Sequence, residues 1–516
     1  MIGLDQQFYR IKDKMKPQWW CAFWGCVIAG FVMHMYPMTH HFLTYDSMWN
    51  QYSPQDMITS GRQFLTYACG ISSFYDLPWL NGVLAIFYLA ITSALLVEAF
   101  EMKDKVFATL TGVLTATFPA LVSTFCYAYT IDGYMLAVLC SVAAYTVTRK
   151  YKWGFLPGIL FVGVSLGIYQ AYYSFTILLC ILGLLSDILS EKKGKELVLP
   201  AFRFLGMGIG GYLFYFVTLK VMLAVKETGL SGYQGTDRIL SMPLSELPKG
   251  IYMAVRMFGS FLLRANVLTG NIFMKISLVV LIAAAVGLYV ALFIKAKAYK
   301  DVMKIIMTLL LLPLIPIGST IVCVMAPDAF FHLLMRYPWV LFFIYVLVLA
   351  GEVQKVITKK KIADMLLWMV TAATVVMAFC FVVNGNIAYF NMNERYEKSF
   401  AYALRIADRL EAQPDYKMGD KVAVLGGFPK EEYYPSTDIT RDVLKDYFGA
   451  GGDLVMNSTD KYATFMERYL NVTIVQASPQ ESDILILSPE FEEMPVFPKE
   501  GSIRKVEDIW IIKING

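Results

Sequence analysis

The stretch "GFLPGILFVGVSLGIYQAYYSFTILLCILGLLS", residues 154–186, decides how this chain is folded. It is 33 residues long and lies between two loops rich in basic residues, "TRKYK" and "EKKGK". Basic loops of a membrane protein stay on the cytoplasmic side, so the stretch must cross the bilayer an even number of times. It therefore forms either two short helices or a re-entrant hairpin with Gln170 at its outer tip.

Composition gives the class of protein. Of the 516 residues, 57% are hydrophobic and only 17% are charged, and the mean hydropathy is +0.52. A soluble protein does not tolerate so apolar a chain, so we expect a multi-span α-helical membrane protein embedded in a lipid bilayer. The net charge is +4 and the basic residues sit in short clusters between apolar runs. That pattern reports topology and indicates no nucleic-acid partner.

About eleven spans are predicted, since a helix needs roughly 20 apolar residues to cross the hydrocarbon core. A basic segment precedes the first apolar run, as in a signal peptide, but the bulky "GFVMHMYPM" that follows offers no small-residue cleavage site, so we expect a retained span. The predicted spans lie near residues 18–37, 79–100, 106–126, 134–148, 154–170, 172–189, 198–224, 274–294, 303–325, 334–351 and 364–384.

The basic clusters orient these spans. The loops "EMKDK", "TRKYK", "EKKGK", "KAKAYKDVMK" and "KVITKKK" alternate with loops poor in Lys and Arg, which places them and the N-terminus in the cytoplasm and the C-terminus outside. The chain then comprises a transmembrane catalytic domain, 1–390, and an extracytoplasmic domain, 391–516. The outer loops of the first domain are 38–78, 127–134, 225–273 and 326–336.

The tail is predicted to be a small α/β domain. "NERYEKSFAYALRIADRLEAQ" has helical spacing, and "NSTDKYATFMERYL" opens with a residue that caps helices. "KVAVLGG" and "DILILSP" resemble strands, and "SIRKVEDIWIIKI" fits a hairpin. The tail carries no GxGxxG or GxxxxGK[ST] motif. We therefore assign it no nucleotide site.

Polar residues in the outer loops are the candidates for chemistry. An ionisable residue at membrane depth is costly unless it faces a cavity or a partner, so Asp132 is a functional candidate, the alternative being that it caps the following helix. Arg62 suits a phosphate because a guanidinium holds two phosphate oxygens at once, the alternative being a pair with Asp56 or with lipid headgroups. Arg256 and Arg264 fit equally well the surface of an amphipathic helix. The full candidate set is Asp46, Asp132, Arg62, Asp56, Gln170, Tyr172, Arg336 and His332.

At these residues the chain resembles a family, the bacterial type-II glucosyltransferases (GtrII-like) that decorate O-antigen and other surface glycans, members of the GT-C group of polytopic transferases. The resemblance extends over the arrangement of spans and the tail ending in "VEDIWIIKI". The family commonly has an Asp-Asp pair where this chain has Tyr45-Asp46-Ser47, which weakens the case for a metal. The matching elements are Asp46, Gly61-Arg62, the acid-to-Tyr element Asp132 and Tyr134, and "YQA" at 169–171.

The resemblance implies an inverting glycosyltransferase of a bacterial inner membrane. It would move a hexose, expected to be glucose, from a polyprenyl-phosphate (undecaprenyl-type) carrier to a surface polysaccharide or glycolipid on the extracytoplasmic face. In that chemistry one carboxylate takes the proton of the acceptor hydroxyl and cations steady the departing phosphate. Asp46 is our choice for the base, Asp132 for a second acid that positions the acceptor or the base, and Arg62 for the phosphate.

Cofactors and partners follow from this hypothesis. No cofactor is certain; a Mg²⁺ or Mn²⁺ ion between Asp46, Asp132 and the phosphate is one option, and the scarcity of histidines argues against zinc. A transferase that makes the donor and a flippase that delivers it would act upstream. The competing hypothesis is a polysaccharide polymerase or a lipid-linked sugar flippase, but flippases usually show internal repeats and lack a large outer domain.

Overall fold

The computed structural model describes residues 15–44, 46–232, 244–328, 330–426, 446–447, 455–456 and 459–514. The chain divides into two compact units. Unit 1 comprises Met1–Met38 and Ser53–Asn386, and unit 2 comprises Thr39–Tyr52 and Ile387–Gly516. Asn457 and Ser458 at the start of "NSTDKYATFMERYL" and the second glycine of "KVAVLGG" lie outside the described residues.

Unit 1 is built mostly from helices. Short 3₁₀ segments connect some of them, at Ile58–Ser60, Gly70–Ser72, Gln170–Tyr172, Leu244–Glu246, Ala298–Lys300, Leu333–Trp339 and Val353–Lys355. The α-helices are α1 Pro17–Thr39, α2 Leu65–Cys69, α3 Pro78–Ala99, α4 Lys105–Thr117, α5 Ala120–Phe125, α6 Ala128–Lys150, α7 Phe155–Ile168, α8 Tyr173–Ile188, α9 Gly194–Val225, α10 Leu247–Arg264, α11 Asn266–Thr269, α12 Ile272–Lys295, α13 Val302–Ser319, α14 Ile321–Met325, α15 Val340–Gly351 and α16 Lys360–Glu411, which continues into unit 2.

Among the described residues, ten helices are long and apolar enough to cross a membrane. The chain is therefore a polytopic helical membrane protein, as its composition predicts. The ten are Pro17–Thr39, Pro78–Ala99, Ala128–Lys150, Gln170–Ile188, Gly194–Val225, Leu247–Thr269, Ile272–Lys295, Val302–Ser319, Leu333–Gly351 and Lys360–Glu411, with Phe155–Ile168 a shorter apolar helix.

Two predicted segments differ from the structure. The span expected at 106–126 is broken into α4 and α5, because Pro119 cannot donate to the helix ladder and the residue before it, Phe118, is extended at φ −60° and ψ 133°. The segment 225–273, expected to be an outer loop, contains the amphipathic helix α10, and the stretch Leu247–Thr269 is one of the ten that are long and apolar enough to cross a membrane. The surface helix considered for Arg256 and Arg264 stays a prediction.

The stretch at 154–186 forms two helices, α7 and α8, with Gln170–Tyr172 as a 3₁₀ turn between them. This is one of the two arrangements that the flanking basic loops allow. The predicted outer loop 127–134 is not a loop, since α6 begins at Ala128 and Asp132 lies inside it.

The basic loops of unit 1 meet at one end of the helices. Glu98, at the end of α3, accepts hydrogen bonds from Lys16 at 2.6 Å and from Lys150 at 2.9 Å. Lys304 donates to the carbonyl of Ser190 at 2.6 Å. These contacts join the segments that the charge pattern assigns to one side of the bilayer.

Unit 2 contains a four-stranded mixed sheet in the order β2-β1-β4-β3, in which β1 runs parallel to β2 and β4, and β3 and β4 form an antiparallel hairpin. The end of α16 and α17 pack on one face of the sheet, and α18 and α19 on the other. The elements are β1 Lys421–Leu425, β2 Val475–Gln476, β3 Ile503–Val506, β4 Ile509–Lys513, α17 Thr459–Leu470, α18 Pro479–Ile486 and α19 Pro489–Glu493.

One strand prediction in unit 2 is wrong. "DILILSP" was expected to be a strand, but its first half belongs to α18. The cause is local, because Ser478 and Glu481 form a reciprocal capping box and Pro479 occupies the first turn. These start signals outweigh the strand propensity of the aliphatic run.

Candidate functional site

Interrupted helices of unit 1 converge on one region. The segment 53–77 folds back against the turn between α7 and α8, where the Phe64 amide donates to the carbonyl of Gly167 at 2.8 Å. A side chain at Gly167 would place its Cβ 2.3 Å from the Phe64 ring, so glycine is required there. Irregular backbone at membrane depth persists only where it is buried in protein or lines a cavity. The region is therefore a candidate binding site.

Gly61 is fixed by its surroundings. It has a positive φ of 70°, and a Cβ there would lie 2.7 Å from both the Gln170 amide nitrogen and the Tyr215 hydroxyl. Gln170 Nε2 donates to the carbonyls of Ser60 at 2.9 Å and Gly61 at 2.7 Å. The Tyr215 hydroxyl, from the middle of α9, donates to the Gly61 carbonyl at 3.1 Å. Hydrogen bonds thus join the "YQA" and Gly-Arg elements, which are separate in sequence.

Arg62 lies on an aromatic platform. Its Nη1 donates to the hydroxyl of Tyr134 at 3.1 Å, and its guanidinium carbon is 4.8 Å from the centre of the Tyr169 ring. The rings of Tyr134 and Tyr169 stack with centroids 4.4 Å apart and planes at 18°. This arrangement fixes the plane of the guanidinium, which is the geometry needed to bind two phosphate oxygens.

Tyr172 is fully buried in an aromatic cluster. Its ring lies 5.2 Å from Tyr169, 6.3 Å from Tyr134 and 6.3 Å from Tyr337, measured between centroids. Tyr337 belongs to the 3₁₀ segment Leu333–Trp339, so the cluster joins that segment to the Arg62 platform. The geometry gives Tyr172 a packing role behind the platform.

Asp132 is a buried carboxylate inside α6, with 1% of its surface exposed. The alternative that it caps the helix is wrong, because the N-cap residue is Tyr127 and no side chain caps that end. The next residue, Gly133, faces α2, where a Cβ would lie 3.3 Å from the Cys69 sulfur. The Ser72 hydroxyl and the backbone at Gly133 are the polar groups beside the carboxylate, and neither of its oxygens is in a hydrogen bond of good geometry with the described residues. A buried carboxylate with so little compensation for its charge is costly, so its presence here favours a functional role.

Asp46 belongs to unit 2, where it precedes the 3₁₀ turn Ser47–Trp49. Its side chain is partly buried, and its carbonyl accepts a 2.9 Å hydrogen bond from Asn50 Nδ2. Burial raises the pKa of the Asp46 carboxyl above its usual range, and the positive charge of Lys461 in α17 partly offsets that rise. A raised pKa brings a carboxylate closer to the basicity that a general base needs.

The other candidates lie elsewhere in unit 1. Asp56 is exposed and forms an ion pair with Lys226. Arg336 lies over the rings of Phe261, at 4.7 Å, and Phe331, at 5.2 Å.

His332 immediately precedes the segment of Arg336. Its ring contacts that of Phe330 edge to face at 4.5 Å. Burial lowers the pKa of the His332 imidazole, which favours its neutral form.

Two residues of the site were not predicted from sequence. Tyr215 of α9 holds the loop at Gly61, and Gln63 of the loop donates its Nε2 hydrogens to the Tyr215 carbonyl and to Thr218 Oγ1 of the same helix, both at 3.2 Å. These partners are some 150 residues apart in sequence. A tyrosine in the middle of an apolar span carries no local signal of such a contact.

The described residues include no group of three or more His, Cys, Asp and Glu side chains that could hold a metal ion. The Mg²⁺ or Mn²⁺ ion considered between Asp46, Asp132 and a phosphate stays a prediction.

Comparison with protein families gives one match. The family model described as Glucosyl transferase GtrII matches residues 35–349, more than half of the 516-residue chain. The matched region runs from the end of α1 into α15 and includes the Arg62 platform, Gln170 and Asp132. Comparison with curated proteins and with solved structures gave no match.

Proposed function

This chain belongs to the GtrII family of glucosyl transferases, and from that premise we propose that it takes glucose from a polyprenyl-phosphate carrier and transfers it to a surface polysaccharide or glycolipid outside the cytoplasm. Family membership implies glucosyltransferase activity, a sugar donor and a glycan acceptor. The lipid carrier, the inverting GT-C type of mechanism, the bacterial inner membrane and the outer face belong to the proposal.

A lipid-carried donor is supported by an apolar cleft of about 390 Å³ in unit 1. It is lined by aliphatic and aromatic side chains of α8, α10, α12, α13 and α15, and by Trp339 of the 3₁₀ segment that precedes α15. The lining residues in α15 itself extend from Phe342 to Leu349, which corresponds to about 10 Å of helix. An isoprenoid chain fits such a lining because it has no polar group to satisfy.

The cleft begins beside a cation. Arg336 lies over Phe261, and the Phe261 ring contacts Trp339 edge to face at 4.7 Å. A guanidinium at the end of an apolar cleft suits a phosphate attached to a lipid tail. This juxtaposition of cation and cleft is the observation on which the proposed donor rests.

The proposed reaction is a single displacement at the anomeric carbon. The acceptor oxygen forms the new bond to that carbon while the bond to the carrier phosphate breaks, and its electron pair leaves with the phosphate oxygen. Asp46 takes the proton of the acceptor hydroxyl, and Asp132 positions the acceptor or the base. Arg62 and Arg336 compensate the charge that develops on the phosphate. One base suffices because inversion forms no covalent sugar intermediate.

The test compares cells with and without the gene by mass spectrometry of surface polysaccharide and of polyprenyl-linked sugars. We expect the glucose modification to vanish and glucosyl carrier to accumulate. Asp46→Asn should reproduce this loss while membrane insertion persists, because a general base contributes about 10²–10⁴-fold.

Two results would overturn the proposal. Unchanged glycan in the Asp46→Asn strain would remove Asp46 as the base. Carrier-linked sugar confined to the inner leaflet would instead indicate a flippase.

A further inference from the structure

A continuous depression lies among α1, α3 and α6, at the end of unit 1 where the basic loops meet. Its polar part has a volume of about 560 Å³ and its apolar part about 540 Å³. Both parts are lined by Trp19, Glu98, Thr146 and Lys150, so they form one groove. The groove is remote in the chain from the residues of the Arg62 platform and is independent of the proposed donor.

The polar part carries an excess of positive charge. Four basic residues line it against two acidic ones, Glu98 and Glu101. The four are Lys16, Lys103, Arg149 and Lys150. Arg149 is already paired with Asp187, so the other lining residues carry a net charge of +1. Such basic pockets between membrane helices suit the phosphate of an anionic lipid headgroup.

Glu98 fixes the positions of two lysines in the polar part of the groove and leaves their ammonium groups exposed to solvent. It accepts hydrogen bonds from Lys16 at 2.6 Å, Lys150 at 2.9 Å and the Trp19 indole at 3.0 Å. The Glu98 side chain is 13% exposed, whereas Lys16 is 56% and Lys150 49% exposed. The two ammonium groups are therefore held in place and remain accessible to a ligand.

The apolar part has the dimensions of one leaflet. Its lining along α3 extends from Glu98 to Phe87, a separation of eleven residues and about 16 Å along the helix. That is about half of the roughly 30 Å hydrocarbon core. Phe23 and Phe87 contact edge to face at 6.2 Å in the lining, and Trp20 is partly exposed beside them. An acyl chain would lie against these side chains.

We propose that this groove, the basic-end groove, binds one anionic phospholipid, with the phosphate among Lys16, Lys103 and Lys150 and an acyl chain along α3. Charge complementarity selects an anionic headgroup over a zwitterionic one, and the leaflet-deep apolar part selects a lipid over a free phosphate. The occupant is a structural lipid of the leaflet that the basic loops face.

The test is native mass spectrometry of the purified full chain, titrated with phosphatidylglycerol and separately with phosphatidylcholine. We expect one retained phosphatidylglycerol. The double variant Lys16→Gln/Lys103→Gln should bind it about 25-fold more weakly, because each basic residue near an anionic lipid contributes about fivefold. A control with the same change in charge, Lys359→Gln/Lys361→Gln, lies outside the groove lining and should bind like the wild type.

A second variant separates a loss of lipid binding from misfolding of the double lysine variant. Ala94→Phe fills the apolar part without changing charge and should abolish retention of phosphatidylglycerol while the melting temperature in detergent stays near the wild-type value. The inference is overturned by equal retention in wild type and both variants, by equal loss in the Lys359→Gln/Lys361→Gln control, or by equal binding of phosphatidylcholine. Displacement of phosphatidylglycerol by an equimolar polyprenyl phosphate would also overturn it, since the groove would then belong to the carrier.

Discussion

Replacing Gln170 by leucine tests whether this side chain positions Arg62 or touches substrate. Gln170→Leu keeps the approximate size of the side chain and removes the hydrogen bonds to the carbonyls of Ser60 and Gly61, 2.9 and 2.7 Å long. Each net hydrogen bond contributes about 1 kcal/mol, and a buried carbonyl left without a donor costs about 1–3 kcal/mol. The loss is therefore about 2–4 kcal/mol of local stability at the backbone next to Arg62.

The expected consequence is a displaced guanidinium and a fall in kcat of about 10²-fold, which is the effect of a misplacement of about 1 Å at a reacting centre. The assay is transfer of labelled glucose from polyprenyl-phosphate glucose to the acceptor glycan in proteoliposomes. Hydrogen exchange of residues 58–64 is measured on the same protein without substrate. Tyr215→Phe is the matched control, since it removes one 3.1 Å hydrogen bond to the Gly61 carbonyl, and we expect about a tenfold fall.

The two measurements separate the two roles. Faster exchange at residues 58–64 together with slower transfer supports positioning. Slow transfer with unchanged exchange would mean that Gln170 contacts the substrate directly, and its role in positioning Arg62 would be refuted. Wild-type transfer in Gln170→Leu would refute both roles.

Three further predictions concern other parts of the chain. Arg62→Lys keeps the positive charge but cannot bind two phosphate oxygens at once, so we expect kcat/KM for transfer to fall about 10²-fold. Equal kcat/KM values for the variant and the wild type would contradict a role of Arg62 in binding the phosphate. Burial raises the pKa of the Asp46 carboxyl, and the charge of Lys461 lowers it, so Lys461→Met should raise that pKa further. Because a general base acts only when deprotonated, the acidic limb of the kcat/KM profile should then move to higher pH. An acidic limb that does not move would argue for another base. Asp187→Ala removes the carboxylate that accepts two 3.0 Å hydrogen bonds from Arg149, so the free energy of unfolding should drop by about 3 kcal/mol. The drop is measured as a lower melting temperature in detergent. An unchanged melting temperature would show that the Arg149–Asp187 pair contributes nothing to stability.

The local patterns of the chain predicted what depends on near neighbours. The charge clusters indicated that residues 154–186 turn back on themselves, and the structure has α7 and α8 there, with Gln170 in the turn between them. The hairpin of β3 and β4 was predicted from the alternation in "SIRKVEDIWIIKI". Where these predictions were wrong, a second local signal had more weight, as with Pro119 in the broken span and the Ser478 capping box that begins α18.

The sequence by itself determined the class of protein, the alternation of basic loops and the family, because composition, charge order and short motifs need no knowledge of distant contacts. Only the tertiary structure decided that Gln170 and Tyr215 bond to Gly61, that Arg62 lies on Tyr134 and Tyr169, and that Asp132 is buried within α6. The physical reason is that these side chains find their partners across some 45 to 155 residues of chain. Packing among helices selects such contacts, and no periodicity along the chain encodes them.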